Sequence, residues 1–280
     1  MKEGHIEMSV LFGLLGEKLS HSISPAIHSL IFKELNIDGC YHLFEVEKEN
    51  LRVAVGGLGA LGAKGVNVTI PYKVPIMEYI DELSPEAQKI GSINTICFNG
   101  KKTIGYNTDY YGFGMALDKY EISITGKKAV ILGYGGAAKG VAAYLIDNGV
   151  KDIIVASRDI EGLNNIGIVK DLNLIKYNEI INLNDCDIII NCTPCGMYPE
   201  ISNSPLQREV IEKFSIAFDL IYNPKETLFL KHAKNAGLKA VNGLYMLVGQ
   251  AVASEKLWNG VEISREIIDK IYEEIGSKFI

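Results

Sequence analysis

The sequence predicts an α/β protein. It reads as an N-terminal α/β substrate unit, a doubly wound Rossmann-type nucleotide-binding unit, and C-terminal helices that return to the first unit. Three observations predict this. Residues 127–159 read as strand, tight turn, helix and strand. Strand and helix patterns alternate on both sides of that stretch. The last two helical patterns have no strand left to pair with. The stretch begins with the apolar run Ala129-Val130-Ile131-Leu132, followed at once by Gly133-Tyr134-Gly135-Gly136-Ala137-Ala138. Val141-Ala142-Ala143-Tyr144-Leu145 has helical spacing and is closed by Asn148-Gly149, and a second run, Ile153 to Ala156, ends in Ser157-Arg158-Asp159. That is about the ~30 residues a βαβ unit needs. The turn fits G-x-G-x-x-G/A. Gly133 permits the sharp turn, Gly135 lets backbone approach a pyrophosphate at the helix N-terminus, and Ala138 permits close helix–strand packing.

The other elements follow in order. Residues 8–15 form a first strand ending at Gly16. Ser24 then Pro25 is a helix start, with Ser as N-cap and Pro at the first helical position, and Ile27, Leu30, Ile31 and Leu35 supply the apolar stripe. Residues 41–46 alternate as a strand, 51–61 form a glycine-weakened helix, and 66–69 are a short strand stopped by Pro71. Ser84-Pro85-Glu86 opens another helix. Residues 94–98 and 101–106 form a hairpin about Asn99-Gly100 in a type I′ turn, and a helix covers 109–120. Beyond Asp159 come a helix at 161–170, strands at 174–177, 187–191 and 216–221, a helix at 228–236, a strand at 239–241, and helices at 243–258 and 264–277. Residues 1–119 with 247–280 are therefore expected to form the substrate-binding and catalytic domain, and 120–246 the dinucleotide-binding domain, with hinge motion across the cleft between them.

The 280 residues are 48% hydrophobic and 22% charged, an ordinary globular composition. The net charge of -6 argues against nucleic acid and anionic membrane surfaces as partners. No 18-residue uncharged apolar run exists, and residues 1–7 lack a signal-peptide pattern, so the expected location is cytoplasmic. Five cysteines without framework spacing suit a reducing compartment. The five histidines are scattered, with no H-E-x-x-H, so no metal is expected. The expected partner is a small molecule, and the chain is expected to be a monomer or homodimer.

Three clusters of small polar residues carry candidate chemistry. Ser22 and Ser24 stand at a helix start, where hydroxyls beside free amides hold a carboxylate or simply cap the helix. Lys73 follows a strand end and a proline turn in Gly65-Val66-Asn67-Val68-Thr69-Ile70-Pro71-Tyr72-Lys73, a place that faces a cleft. There it is a solvated surface lysine or an acid or base. Asp109 follows Asn107-Thr108 and opens a helix, after Asn94-Thr95. Together Lys73 and Asp109 offer an ion pair that can hold an alcohol proton during hydride transfer. Cys192-Thr193-Pro194-Cys195 has redox-dithiol spacing, but Pro194 and Gly196 break any helix there, so a loop at the nucleotide cleft is the better reading.

These segments also resemble a known family. Ser20 to Pro25, Asn67 to Lys73, Asn107-Thr108-Asp109 and Gly133 to Ala137 come in the order and spacing of shikimate dehydrogenase. So do Asn191-Cys192-Thr193-Pro194-Cys195-Gly196-Met197, Asp219-Leu220-Ile221-Tyr222-Asn223-Pro224 and Asn242 to Ala251. The resemblance covers nearly the whole chain. It implies reversible NADP-dependent reduction of 3-dehydroshikimate to shikimate in aromatic amino-acid (chorismate) biosynthesis. It implies Lys73 and Asp109 as the catalytic pair, and Ser22, Ser24 and Tyr222 on the substrate carboxylate. It further implies Thr69, Asn94, Asp109 and Gln250 on ring hydroxyls. The cofactor would meet Gly133, Gly135, Gly136, Ala137, Ser157, Arg158 and Thr193, with Gly243 and Met246 bordering the nicotinamide. Here the chain departs from the family's usual Asn-Arg-Thr: it has Ser157-Arg158-Asp159. An arginine there accommodates the 2′-phosphate of NADP and an acid accepts the ribose of NAD, so NADP is expected and NAD stays open. The alternatives are a quinate/shikimate dehydrogenase using NAD, and a ligand-sensing module that kept the fold and lost catalysis.

Overall fold

The structure, a computed structural model, describes residues 9–100, 102–160 and 172–278. Two six-stranded sheets carry it. The first contains β1 (Val10–Gly16), β2 (Gly39–Glu45), β3 (Gly65–Val68), β4 (Glu82–Leu83), β5 (Thr95–Asn99) and β6 (Lys102–Tyr106), in the order β2-β1-β3-β5-β6-β4. β1 is parallel to β2 and β3, and β5 runs antiparallel to β3 and β6. The second contains β7 (Lys128–Leu132), β8 (Asp152–Ala156), β9 (Asn173–Ile175), β10 (Ile188–Asn191), β11 (Ile216–Asp219) and β12 (Lys239–Val241). Its order is β12-β11-β10-β7-β8-β9, parallel throughout. This is the Rossmann arrangement, whose order reverses between β7 and β10. Residues 129–132 and 188–191 are buried on both faces, which is why they read as unbroken apolar runs rather than alternating ones.

Helices α1 (Ser24–Leu35), α2 (Leu51–Ala60), α3 (Pro85–Ile90) and α4 (Asp109–Lys119) accompany the first sheet. Helices α5 (Gly136–Asp147), α6 (Arg208–Ile211) and α7 (Leu228–Asn235) accompany the second, and α8 (Leu244–Asn259) and α9 (Arg265–Lys278) close the chain. α8 packs along α4, where a Cβ on Gly112 would sit 2.5 Å from the Met246 carbonyl oxygen. α9 packs on α1 and α8, with Lys270 Nζ 2.7 Å from Glu34 Oε1 and the Tyr245 hydroxyl donating to Asp269 at 2.8 Å. No helix among the described residues is long and apolar enough to cross a membrane.

Two local expectations are corrected, and one strand is added. Ser24 is the first helical residue of α1 rather than its N-cap: Ile23 holds that position, and the Ser22 hydroxyl accepts from the Ser24 N–H at 3.3 Å. The β5–β6 ladder closes at Asn99 opposite Lys102, so Gly100, with φ +63°, leads the turn one residue later than an Asn99-Gly100 turn requires. The two-residue strand β4 went unforeseen because it is too short to show alternation. The helix expected at 161–170 lies outside the described residues.

Candidate active site

The loop after β3 and the glycine turn after β7 meet at Lys73. The chain leaves β3 through Thr69 and Pro71 to Tyr72, which is fully buried and donates its hydroxyl to the Val46 carbonyl at 2.7 Å. The Ile93 N–H donates to the Lys73 carbonyl at 2.8 Å, so the lysine backbone is fixed. Its Nζ donates to Asp109 Oδ2 at 2.5 Å. Asn94 Nδ2 donates to the other carboxylate oxygen at 2.9 Å and to Gln250 Oε1 at 3.4 Å. Strand end, loop, α4 and α8 each contribute one group. The Lys73 and Asp109 side chains are only 13% and 7% exposed, and their attraction is stronger here than in water. A Cβ on Gly136 would lie 2.9 Å from the Lys73 Cβ, so the nucleotide helix begins against the lysine stem.

Thr69 is half-buried, with its methyl against Gly16. Around Ser22 and Ser24 one expectation fails. The α1 amides are not free: Ser24 N–H is taken by Ser22, Pro25 has none, and Ala26 and Ile27 donate to the Ile23 carbonyl. The hydroxyls alone are left to meet an anion. Tyr222 follows β11, and burial raises its pKa, which keeps the phenol protonated as a donor.

The turn after β7 fits a dinucleotide. Gly133 has φ +81°, and a Cβ there would strike the Thr193 methyl at 2.7 Å, so the two loops at the switch point touch. A Cβ on Gly135 would meet nothing within 4 Å, and no side chain caps α5 at that residue. The opening is what a pyrophosphate needs. Gly136 and Ala137 are the first two residues of α5. At the end of β8, the Ser157 hydroxyl accepts the Asp159 N–H at 3.2 Å and donates to its carbonyl at 3.0 Å. Arg158 is exposed, and its charge acts on Tyr177 and Cys195. Thr193 donates to Asn191 Oδ1 at 2.7 Å. Gly243 precedes α8 against Leu220, where a Cβ would lie 2.0 Å from the carbonyl oxygen, and Met246 lies buried one turn on. Burial raises the pKa of both Cys192 and Cys195, which leaves neither as a reactive thiolate and agrees with the loop reading.

Asp219 ends β11 fully buried, accepting from Asn191 Nδ2 at 3.0 Å, the Ile221 N–H at 3.1 Å and the Thr227 hydroxyl at 2.6 Å. Burial pushes its pKa from the ordinary 3.8 up to about 7. Between these values the folded chain keeps a proton that the unfolded chain releases. Stability from this group is full below pH ~4 and is lost as pH rises through ~7, on the order of 4 kcal/mol in total. Thermal unfolding at pH 5 and pH 8 checks this: wild type should lose stability relative to Asp219→Asn as pH rises. A relative gain would refute it.

The sequence clusters contained Asn67, Thr95 and Thr108 without a role for them, and Ser254 was missed; all four lie buried behind Asn94. The available signals were an asparagine inside an apolar strand and a serine one helical turn after Gln250.

A parallel sheet with a glycine turn at its switch point, closed against a buried lysine–carboxylate pair from a second sheet, defines a nucleotide-dependent dehydrogenase of the two-domain α/β kind. Models of two domains match, the shikimate dehydrogenase substrate binding domain over residues 14–96 and shikimate / quinate 5-dehydrogenase over 115–222. The chain belongs to the shikimate dehydrogenase family. A Clostridium perfringens shikimate dehydrogenase (NADP(+)) is 48% identical over 269 residues, covering 96% of this chain and 99% of that one. The crystal structure of a chorismate mutase/shikimate 5-dehydrogenase fusion protein from Clostridium acetobutylicum is 50% identical, with a TM-score of 0.93 over 97% of this chain and 99% of that one. Shikimate dehydrogenase 1 from Peptoclostridium difficile is 45% identical, with a TM-score of 0.91 over 97% and 99%.

Proposed function

We propose that the chain is an NADP-dependent shikimate dehydrogenase, reducing 3-dehydroshikimate to shikimate reversibly within aromatic amino-acid biosynthesis. The observation that carries this reading is the 2.5 Å contact of Lys73 Nζ with Asp109 Oδ2 beside Gly136 at the head of α5. Ketone and alcohol differ by a hydride and a proton. When bound, the nicotinamide supplies or accepts the hydride. The protein's task is the proton and the geometry. In oxidation the ring hydroxyl gives its proton to Lys73 Nζ as Nζ passes one along its hydrogen bond to Asp109 Oδ2, and in reduction the relay runs back. Asn94, Gln250 and Thr69, with Asp109, hold ring hydroxyls, and Ser22, Ser24 and Tyr222 hold the carboxylate. The amides of Gly135, Gly136 and Ala137 receive the pyrophosphate, and Gly133, whose N–H is held by the Ala156 carbonyl at 2.8 Å, makes the turn beneath it. Ser157 and Arg158 take the adenosine end, Thr193 lines the crevice, and Gly243 and Met246 border the nicotinamide. In this reading residues 1–119 with 247–280 form the substrate domain and 120–246 the nucleotide domain. Supporting this, β1–β6 lie in one sheet and β7–β12 in the other. We read the enzyme as cytoplasmic, and as a monomer or homodimer.

The test follows reduced-nicotinamide absorbance with shikimate, then quinate, and with NADP, then NAD, in wild type and Arg158→Ala. Wild type should prefer shikimate and NADP. Loss of Arg158 should lower the NADP/NAD ratio of kcat/KM about tenfold or more, as for losing a charge-assisted bond of ~1.5 kcal/mol. A wild type that prefers NAD makes Asp159 the reader instead. Absence of turnover with every pair would sink the enzymatic reading.

A further inference from the structure

We propose that Asn67 and the hydroxyls of Thr95, Thr108 and Ser254 form a positioning hub, which fixes the direction of the Asn94 amide and thereby holds Asp109. This rests on the reading of Lys73, Asp109 and Asn94 as the reacting site. All four residues are at most 4% exposed, and they come from β3, β5, the residue before α4, and α8.

The donors and their protons set the direction of each bond. An amide's nitrogen and oxygen ends have nearly the same shape, so its neighbours decide which way it faces. The Tyr41 hydroxyl donates to Asn67 Oδ1 at 2.8 Å. That turns Asn67 Nδ2 toward the hub, where it donates to Ser254 Oγ at 2.8 Å and Thr95 Oγ1 at 3.0 Å. Ser254 commits its one proton to the Gln250 carbonyl at 2.9 Å. Thr95 and Thr108 are left with theirs; they lie 3.1 Å from each other and 3.0 and 3.2 Å from Ser254 Oγ, but the Asn94 amide oxygen is a stronger acceptor than any of these hydroxyls. Both donate to Asn94 Oδ1, at 3.2 and 3.1 Å, and the Thr108 N–H joins them at 2.6 Å. Three donors on one oxygen leave only Asn94 Nδ2 to face Asp109 Oδ1, at 2.9 Å. A flipped amide would set its oxygen against the carboxylate and its N–H groups against three donors, unfavourable at both ends. The path Tyr41, Asn67, Thr95, Asn94, Asp109 thus donates in one direction and ends on the carboxylate oxygen opposite Lys73, while Ser254 sends its proton aside to the Gln250 carbonyl. The hub residues are positioning residues, with no contact to a reacting atom assigned to them.

The test compares Thr95→Val, which removes the hydroxyl at nearly constant shape, with Thr95→Ser, which keeps it. Thr95→Val should raise the shikimate KM about tenfold and lower kcat about tenfold, roughly 1.4 kcal/mol each. The KM for NADP should stay within about twofold, and Thr95→Ser should behave as wild type. A merely structural role would lower the active fraction and leave both KM values alone. If Thr95→Val is insoluble, Thr108→Val is read in the same way. A shikimate KM unchanged by the valine, or a serine variant as impaired as the valine, overturns the hub. Lys73→Ala runs beside them: if it retains full turnover, the reading of the site fails rather than the hub.

Discussion

Lys73→Ala is expected to lose kcat by about 10²–10⁴-fold, the usual worth of a positioned acid or base. The KM for shikimate should change far less, because Asn94, Gln250 and the serine hydroxyls remain. The alanine also removes stem atoms that pack on Gly136, so Lys73→Met is the necessary companion: it keeps an unbranched apolar stem against the glycine and loses only the ammonium. Both variants should be impaired alike. Turnover near the wild-type rate in either, measured from pH 7 to 10, would remove Lys73 from the chemistry.

The second large effect is expected at the mouth of α1. With the amides of that helix start already paired, the proposed reading leaves a bound carboxylate to the hydroxyls of Ser22 and Ser24 and to the Tyr222 phenol. Each lost bond to a charged group costs about 1.5–3 kcal/mol. The Ser22→Ala/Ser24→Ala double variant should therefore raise the shikimate KM by about 10²–10⁴-fold and leave the KM for NADP unchanged. Since Ser22 also accepts the Ser24 N–H, Ser22→Thr, which keeps an oxygen there, should sit close to wild type. Weaker cofactor binding with an unmoved shikimate KM would return both serines to a helix-capping role.

What the sequence made legible was whatever follows from periodicity and turn chemistry. Residues 129–138 could be read because a doubly buried strand must be apolar and a sharp turn beside a phosphate site needs glycine. Ser84 as N-cap of α3 was equally plain, and its hydroxyl accepts the Ala87 N–H at 3.1 Å. Ser24 misled for a physical reason: Ser22 and Ser24 both precede or flank Pro25, and a single string does not say which hydroxyl meets the first amide. The hub stayed hidden because Asn67 and Ser254, 2.8 Å apart, are separated by 187 residues, and no local pattern encodes a bond of that span. The Lys73–Asp109 contact crosses 36 residues; the two loop ends offered the ion pair, and the motif resemblance added its catalytic role.

Trp258 stands near the end of the chain, yet its ring centroid lies 5.2 Å from that of Phe12 in β1, and its Nε1 donates to the Ile96 carbonyl at 3.1 Å. Gly65 makes the room: a Cβ there would lie 2.0 Å from the indole nitrogen. A ribosome releases β1, β3 and β5 long before it reaches Trp258. That face of the first sheet waits uncovered during synthesis, whereas the second sheet has all six strands once Val241 has emerged. The middle of the chain can therefore settle first, and the opening segments complete their packing only when the last helices arrive.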